Sequence, residues 1–210
     1  MKKLIIYSSV LLLILSCKQK QTTYIFEGKS KLDLQNTKIE EVFILENTLH
    51  STERKIDTSL EVGTALFSES EIKVLTHSVF ERKDSKLFLD SDYYYSKKDS
   101  LLKVVIYTWT IDGNIHGYVE KSKNEVEANN KILKNKYEEL KKSISTELEK
   151  DNSLRKSSPL ENMTVWENDK RQIFISIFGI GRDNGIRLFI GPNYKKGKNI
   201  AVEVQPNSTP

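Results

Sequence analysis

The residues that could carry familiar chemistry are few, and their spacing forms no known catalytic or metal-binding motif. The chain of 210 residues has three histidines, His50, His77 and His116, and one cysteine, Cys17. No histidine pair has zinc-motif spacing, and a single cysteine excludes a multi-cysteine site. His116 follows an Asp-Gly turn and could pair with Asp112, although a surface histidine on a turn is the simpler interpretation. We therefore expect no metal and no cofactor.

Two aspartates have strand-like spacing within an aromatic stretch. Asp90 and Asp92 alternate with Phe88 and Tyr94, so the four side chains would share one face of a strand. Such carboxylates can share a cation or divide acid and base roles in hydrolysis. More commonly they line the solvated face of an edge hairpin. The chain has no G-x-S-x-G motif, and the glycines at 179–185 suit turns better than a phosphate-binding loop.

Aromatic residues are concentrated in the same part of the chain. They are Tyr93, Tyr94, Tyr95, Tyr107, Trp109 and Tyr118. Rings on a sheet face can stack on sugars or peptides, so Tyr93, Tyr95, Tyr107 and Trp109 are candidate binding residues. Packing across strands in the core explains these residues too.

The first 17 residues have the pattern of a secretory leader. Lys2 and Lys3 precede an apolar run at residues 4–15. This run is shorter than the roughly 18–20 residues that a membrane-spanning helix needs. The leader ends in Leu-Ile-Leu-Ser-Cys at residues 13–17, which resembles the lipobox of bacterial lipoproteins and places the cysteine of the motif at Cys17.

The resemblance implies that residues 1–16 are a signal peptide and that the Cys17 thiol carries lipid after cleavage. The alternatives are an ordinary signal peptide with an incidental cysteine, or a short buried helix. One acyl chain binds a membrane only marginally, and two or more give stable anchoring. Residues 17–23 would form the lipidated end and its tether. Lys18 stands where an acidic residue often retains such proteins at the inner membrane, which favours the outer membrane facing the periplasm.

The charge balance argues against a nucleic-acid partner. The chain has 33 Lys and Arg against 29 Asp and Glu, so loss of Lys2 and Lys3 leaves an excess of about two basic residues. A single cysteine permits no disulfide within the chain. The length suits one domain, which we place at residues 24–205, followed by a flexible tail at residues 206–210.

Hydrophobic patterns predict the elements that precede the aromatic stretch. Residues 24–26 are predicted to open the first strand. Residues 37–49 begin with capping-box spacing; their apolar residues fit a helix or a buried strand, and we favour the helix. Residues 51–63 are polar and loop-like. Residues 69–80 carry apolar side chains at intervals of three and four, which predicts a short helix.

The middle of the chain predicts a meander followed by a long helix. Residues 87–95 and 101–111 indicate an antiparallel hairpin, and residues 115–119 a third strand. A capping box opens a helix over residues 122–150. Its apolar stripe consists of Val126, Leu133, Tyr137, Leu140, Ile144 and Leu148. On its polar face, Glu138 is placed to pair with Lys142.

The last third of the chain predicts a second meander. A polar loop at residues 151–159 precedes strands at 163–166, 171–180 and 186–190. The middle strand has apolar residues on both faces, which is typical of a strand covered on both sides. Residues 200–204 could form a last strand.

These patterns predict an α+β fold, with a mainly antiparallel sheet of about five to seven strands and one long amphipathic helix packed on a face. The expected function is that of a lipid-anchored cell-envelope protein that binds a protein, peptide or glycan partner without catalysis. One alternative is an envelope hydrolase whose dispersed site uses Asp90, Asp92 or His116. Another is a protective lipoprotein that neutralises a toxin at the membrane.

Overall fold

The fold is known from a computed structural model that describes residues 22–55, 75–112, 122–149, 151–179 and 184–193. Two α-helices, α1 (Ile39–Thr48) and α2 (Lys123–Leu148), accompany eight strands in this part of the chain. The strands are β1 (Thr52–Arg54), β2 (Leu75–Asp84), β3 (Leu87–Ser96), β4 (Leu102–Thr110), β5 (Arg155–Leu160), β6 (Met163–Glu167), β7 (Arg171–Phe178) and β8 (Gly185–Pro192).

All eight strands belong to one antiparallel sheet, in the order β1-β2-β3-β4-β8-β7-β6-β5. Each half of the sheet is a four-stranded meander preceded by a helix. The two halves join where β4 pairs with β8, for example at Thr108 and Arg187. The chain thus builds the sheet from both edges towards the middle.

The α+β class and the antiparallel sheet are confirmed, whereas the eight strands of the described residues exceed the predicted five to seven. The strands that were not predicted are the two edge strands, β1 and β5, and β2. All side chains of β1 and β5 are exposed, so neither strand has the apolar alternation that marks a half-buried strand. The predicted loops at 51–63 and 151–159 were therefore wrong for residues 52–54, which form β1, and for residues 155–159, which belong to β5. Pro159 lies near the end of β5, where an edge strand tolerates a missing N–H.

The predicted helix at residues 69–80 is wrong for its last six residues, which belong to β2; residues 69–74 lie outside the described part. Val79 and Phe80 are both buried, on opposite faces of the strand. A strand covered on both faces places apolar residues at adjacent positions, which imitates the stripe of a helix.

The predicted strand at residues 24–26 is also wrong, because this segment forms a buried turn. The Glu27 N–H donates to the Tyr24 carbonyl oxygen at 3.0 Å, and Glu27 Oε2 accepts from the Tyr24 N–H at 3.2 Å. Tyr24, Ile25 and Phe26 are all buried. The segment acts as a plug that covers the sheet rather than extending it.

The long helix α2 is confirmed. At its start, the Glu125 N–H donates to Ser122 Oγ and the Ser122 N–H donates to Glu125 Oε2, as in a capping box. From Leu133 onwards every residue of the predicted stripe is buried, and Val126 is half-buried. The stripe packs on β7 and β8. Glu138 pairs with Lys141 at 2.7 Å rather than with Lys142.

The helical interpretation of residues 37–49 is also confirmed by α1. Its first turn is capped one residue later than predicted, since Glu41 Oε1 accepts from the Lys38 N–H at 3.1 Å. Ile39 and Val42 are buried, while Ile44 is 68% exposed. The strands predicted at residues 115–119 and 200–204, the leader and the tail lie outside the described residues.

A buried ion pair joins α1 to the sheet. Glu46 of α1 is fully buried, and its Oε2 accepts from Arg82 Nη1 of β2 at 2.6 Å. The same carboxylate accepts from the Tyr93 hydroxyl and from Ser51 Oγ at 2.5 Å. Arg82 Nη2 donates to the Thr23 carbonyl oxygen at 2.7 Å. These hydrogen bonds offset the desolvation of both charges.

Glu46→Gln is expected to lower the free energy of unfolding by about 3–5 kcal/mol, because Arg82 would stay buried without its counter-ion. The matched control is Glu41→Gln in the same helix, which breaks an exposed pair with Lys29. Its expected loss is about 1 kcal/mol or less. Urea unfolding measures both variants, and equal losses would show that burial of the pair is not what matters.

Candidate functional site

The aromatic residues predicted to bind a partner lie mostly inside the core. Tyr93, Tyr107 and Trp109 are each 0% exposed, and Tyr95 is half-buried against the same cluster. Alternate side chains of β3 and β4 point towards the helices, and these positions belong to that set. The three buried rings therefore present no surface to a partner. They pack across strands in the core, which was the alternative interpretation of their sequence pattern.

Each buried polar ring atom has a partner. The Tyr107 hydroxyl accepts from the Ile25 N–H at 3.1 Å, and Trp109 Nε1 donates to Asp84 Oδ2 at 2.6 Å. Asp84 Oδ2 also accepts from the Tyr24 hydroxyl at 2.7 Å and pairs with Lys136 at 3.2 Å. Burial would raise the pKa of Asp84, but the Tyr24 hydrogen bond, the Lys136 charge and the Trp109 hydrogen bond lower it instead.

Asp90 and Asp92 lie on the face of β3 opposite the helices, and each meets a basic side chain. Asp92 Oδ1 is 3.0 Å from His77 Nε2, and Asp90 Oδ2 is 3.6 Å from Arg54 Nη2. The His77 ring stacks on Tyr94 with centroids 4.1 Å apart. Burial, together with the charges of Asp92 and Glu81, raises the pKa of Asp90 against the opposing effect of Arg54.

The expectation that these aspartates belong to an edge hairpin was wrong, because β2 and β1 continue the sheet beyond β3. Pairing with His77 was not foreseen, since the two residues meet only through the β2–β3 register. The other proposed partner, His116, and the lipidation residue, Cys17, lie outside the described part of the chain. The hydrolase hypothesis stays a prediction.

A cleft of about 330 Å³ lies at the end of the sheet where β4 and β7 begin and β8 ends. Its apolar lining consists of Leu32, Leu34, Leu102, Ile190 and Pro192, and its polar and small lining residues are Asp33, Gln35, Asn36, Lys103, Lys170, Arg171 and Gly191. An apolar floor with a few polar groups is typical of a ligand site.

Arg171 joins two chain segments beside this cleft. Its Nη1 donates to the Lys31 carbonyl oxygen at 2.6 Å, and its Nη2 donates to Asp151 Oδ2 at 2.7 Å. Ser153 Oγ donates to Asp151 Oδ1 at 2.5 Å. Hydrogen bonds from Ser153 and the charges of Lys31 and Arg171 lower the pKa of Asp151 against the effect of burial. Both terminal nitrogens of the Arg171 guanidinium therefore donate hydrogen bonds within the protein, and a ligand in the cleft would contact the neighbouring side chains.

Two lysines supply the cleft with positive charge, and one of them, Lys103, also acts on the Asp99 carboxylate of the β3–β4 turn. Lys103 and Lys170 are exposed, and neither forms an ion pair within the described part of the chain. The amide side chains of Gln35 and Asn36 lie on the same rim. The lining contains one carboxylate to oppose the two lysines, that of Asp33. Its Oδ1 accepts from the Gln35 N–H at 3.0 Å. This arrangement can hold an anionic group above an apolar floor.

No sequence motif identifies the cleft, because its residues come from four separate segments. No family model matches the chain, and neither a curated protein nor a solved structure matches it. Within the described residues, no three His, Cys, Asp or Glu side chains gather as a metal site, and no helix has the length and apolarity to cross a membrane.

Asp151→Asn is expected to lower the free energy of unfolding by about 1–3 kcal/mol at neutral pH, because Arg171 loses its counter-ion. The folded-state pKa of Asp151 is lowered, so its contribution is present above the unfolded value of about 3.9 and is lost as pH falls through the folded value. The gap between wild type and variant should therefore close in acid. Urea unfolding over a pH series measures it, and a gap that persists in strong acid would contradict this role.

Proposed function

We propose that this chain is a lipid-anchored protein of the bacterial cell envelope that binds the C-terminal carboxylate and the adjoining apolar side chain of a peptide in the cleft, without catalysis. The proposal places the anchor at Cys17, on the outer membrane facing the periplasm. The observation that carries it is the position of the cleft relative to the start of the domain.

Thr23, six residues after Cys17, lies beside the end of β2. Arg82 binds the Thr23 carbonyl oxygen there, three residues before Ser85 of the β2–β3 turn. The cleft includes Leu102 and lies beyond the β3–β4 turn, at the other end of β3. The ten residues of β3 separate the two ends by about 30 Å. A lipid at Cys17 would therefore leave the cleft open to the aqueous compartment.

The lining favours a peptide over a glycan. Sugar sites commonly use an aromatic ring as a stacking platform, and no aromatic residue lines this cleft. The floor, which includes Leu102, Ile190 and Pro192, suits one aliphatic side chain. Lys103 and Lys170 suit a neighbouring carboxylate. A free C-terminal carboxylate after an apolar residue combines both features.

Lys103→Gln with Lys170→Gln is expected to weaken binding of a hexapeptide that ends in leucine by about 150-fold or more, because two charge-assisted hydrogen bonds of about 1.5–3 kcal/mol each are lost. Isothermal titration calorimetry on the purified protein measures this. The matched control, Lys97→Gln with Lys98→Gln, removes two exposed lysines from the nearby β3–β4 turn and should leave affinity unchanged.

The same hexapeptide with an amidated C-terminus tests the carboxylate. Its affinity should fall about as far as in the double lysine variant, since both changes remove the same ion pairs. Equal affinity for the free and amidated peptides would overturn the proposal. Binding of an acidic oligosaccharide in place of the peptide would also overturn it in favour of a glycan partner.

Cys17→Ser is expected to release the protein from the membrane fraction or to leave the leader uncut, because the thiol that would carry lipid is gone. Membrane fractionation and intact-mass measurement follow the two outcomes. The control is Ser16→Ala, which keeps a small residue before the cysteine and should leave processing unchanged. Unaltered mass and membrane association in Cys17→Ser would contradict the anchor.

A further inference from the structure

The β2–β3 turn lies beside the point where the chain enters the domain, and we propose that it is a membrane-contact surface. Lys83, Lys86 and Phe88 of this turn would rest on negatively charged phospholipid. The inference depends on the anchor at Cys17 proposed above, and it adds the orientation of the domain on the membrane.

Two hydrogen bonds hold the entering chain against the turn. Arg82 Nη2 donates to the Thr23 carbonyl oxygen at 2.7 Å, and the Tyr24 hydroxyl donates to Asp84 Oδ2 at 2.7 Å. Asp84 directly precedes Ser85, so the entering chain is fixed at the turn itself. Only six peptide units link Cys17 to Thr23, and fully extended they span about 20 Å at most. A lipid at Cys17 thus keeps the turn close to the bilayer.

The side chains of the turn suit that position. Lys83, Ser85 and Lys86 are exposed, and Phe88 is 37% exposed. Lys83 Nζ lies 5.2 Å from the centre of the Phe88 ring. Lysines flanking an aromatic ring combine attraction to anionic lipid with a group that favours the interface.

The acidic residue of the turn points the other way. Asp84 Oδ2 pairs with Lys136 at 3.2 Å and accepts from Trp109 at 2.6 Å, so its charge is compensated inside the protein. Glu81 is exposed on the same face as Lys83, but it lies two residues farther from the turn. Asp112 is exposed two residues past Thr110, which pairs with Phe88, so Lys83 and Lys86 outnumber the one exposed carboxylate near the tip.

Contact at the turn would fix the domain at two points, the lipid and the hairpin. A single flexible tether would let the domain rotate, whereas a second contact restricts it. With β3 roughly normal to the bilayer, the cleft would lie about 30 Å from the turn and face the aqueous compartment.

Lipid contact can be measured on the full lipidated protein in vesicles containing phosphatidylglycerol. Ser85→Cys supplies a thiol for a fluorophore, because the Cys17 thiol is occupied by lipid. Spin-labelled phospholipid should quench this fluorophore strongly, and should quench one at Lys98→Cys, in the opposite turn, weakly. Lys83→Gln with Lys86→Gln should lower the equilibrium constant for docking about fivefold for each lysine removed, and quenching at position 85 should fall accordingly. Lys97→Gln with Lys98→Gln is the matched control and should leave quenching at position 85 unchanged.

Vesicle flotation separates this inference from the anchor. Protein that does not float with vesicles fails the anchor, and the membrane-contact inference with it. Protein that floats but shows equal quenching at positions 85 and 98 overturns only the contact and leaves the turn free for a protein partner. Quenching that is the same in phosphatidylcholine vesicles would also overturn it, since the proposed contact requires lipid charge.

Discussion

The buried ion pair between Glu46 and Arg82 is the interaction on which the rest of the structure depends. It joins α1, the second strand and, through the Thr23 carbonyl oxygen, the start of the domain. Tyr93 adds the neighbouring strand to the same carboxylate. A buried charge without its partner is strongly destabilising, so these elements must assemble together or leave an uncompensated charge in the core.

A second arginine, Arg171, repeats this arrangement at the other end of the segment formed by residues 23–31. Arg171 donates to the Lys31 carbonyl oxygen and to Asp151, as Arg82 donates to Thr23 and Glu46. The planar guanidinium suits this use, because its N–H groups point in fixed directions and can reach a carbonyl and a carboxylate at once. Residues 23–31 therefore cross the sheet with each end bound by an arginine. One end lies beside the hairpin proposed to contact lipid, and the other helps to form the cleft.

Between these clamps, the aromatic residues of the first meander form the core. Tyr24 and Phe26 stack with centroids 5.2 Å apart, and both meet Tyr107 edge-on. Their polar atoms are satisfied within the protein, through Asp84 and Glu46. A concentration of tyrosine in a sequence therefore has two explanations, a recognition surface or a core with internal hydrogen bonds. Here the plug formed by residues 24–26 covers the rings.

The sequence by itself determined the parts that depend on local periodicity. The capping box and apolar stripe predict α2, and runs of β-branched and aromatic residues between turn signals predict the central strands, because both patterns arise within a single element. The class of fold followed from their order. The exposed edge strand β5 has no such pattern, and β2 carries a misleading one because both of its faces are covered.

Only the tertiary structure decided which residues form the cleft and which are core. Lys103 and Lys170 are far apart in the chain and line one cleft only because β4 and β8 pair, bringing the two meanders together. Likewise, the burial of Trp109 depends on a plug from the start of the domain. Both outcomes depend on which distant segments meet, and a local pattern contains no information about that.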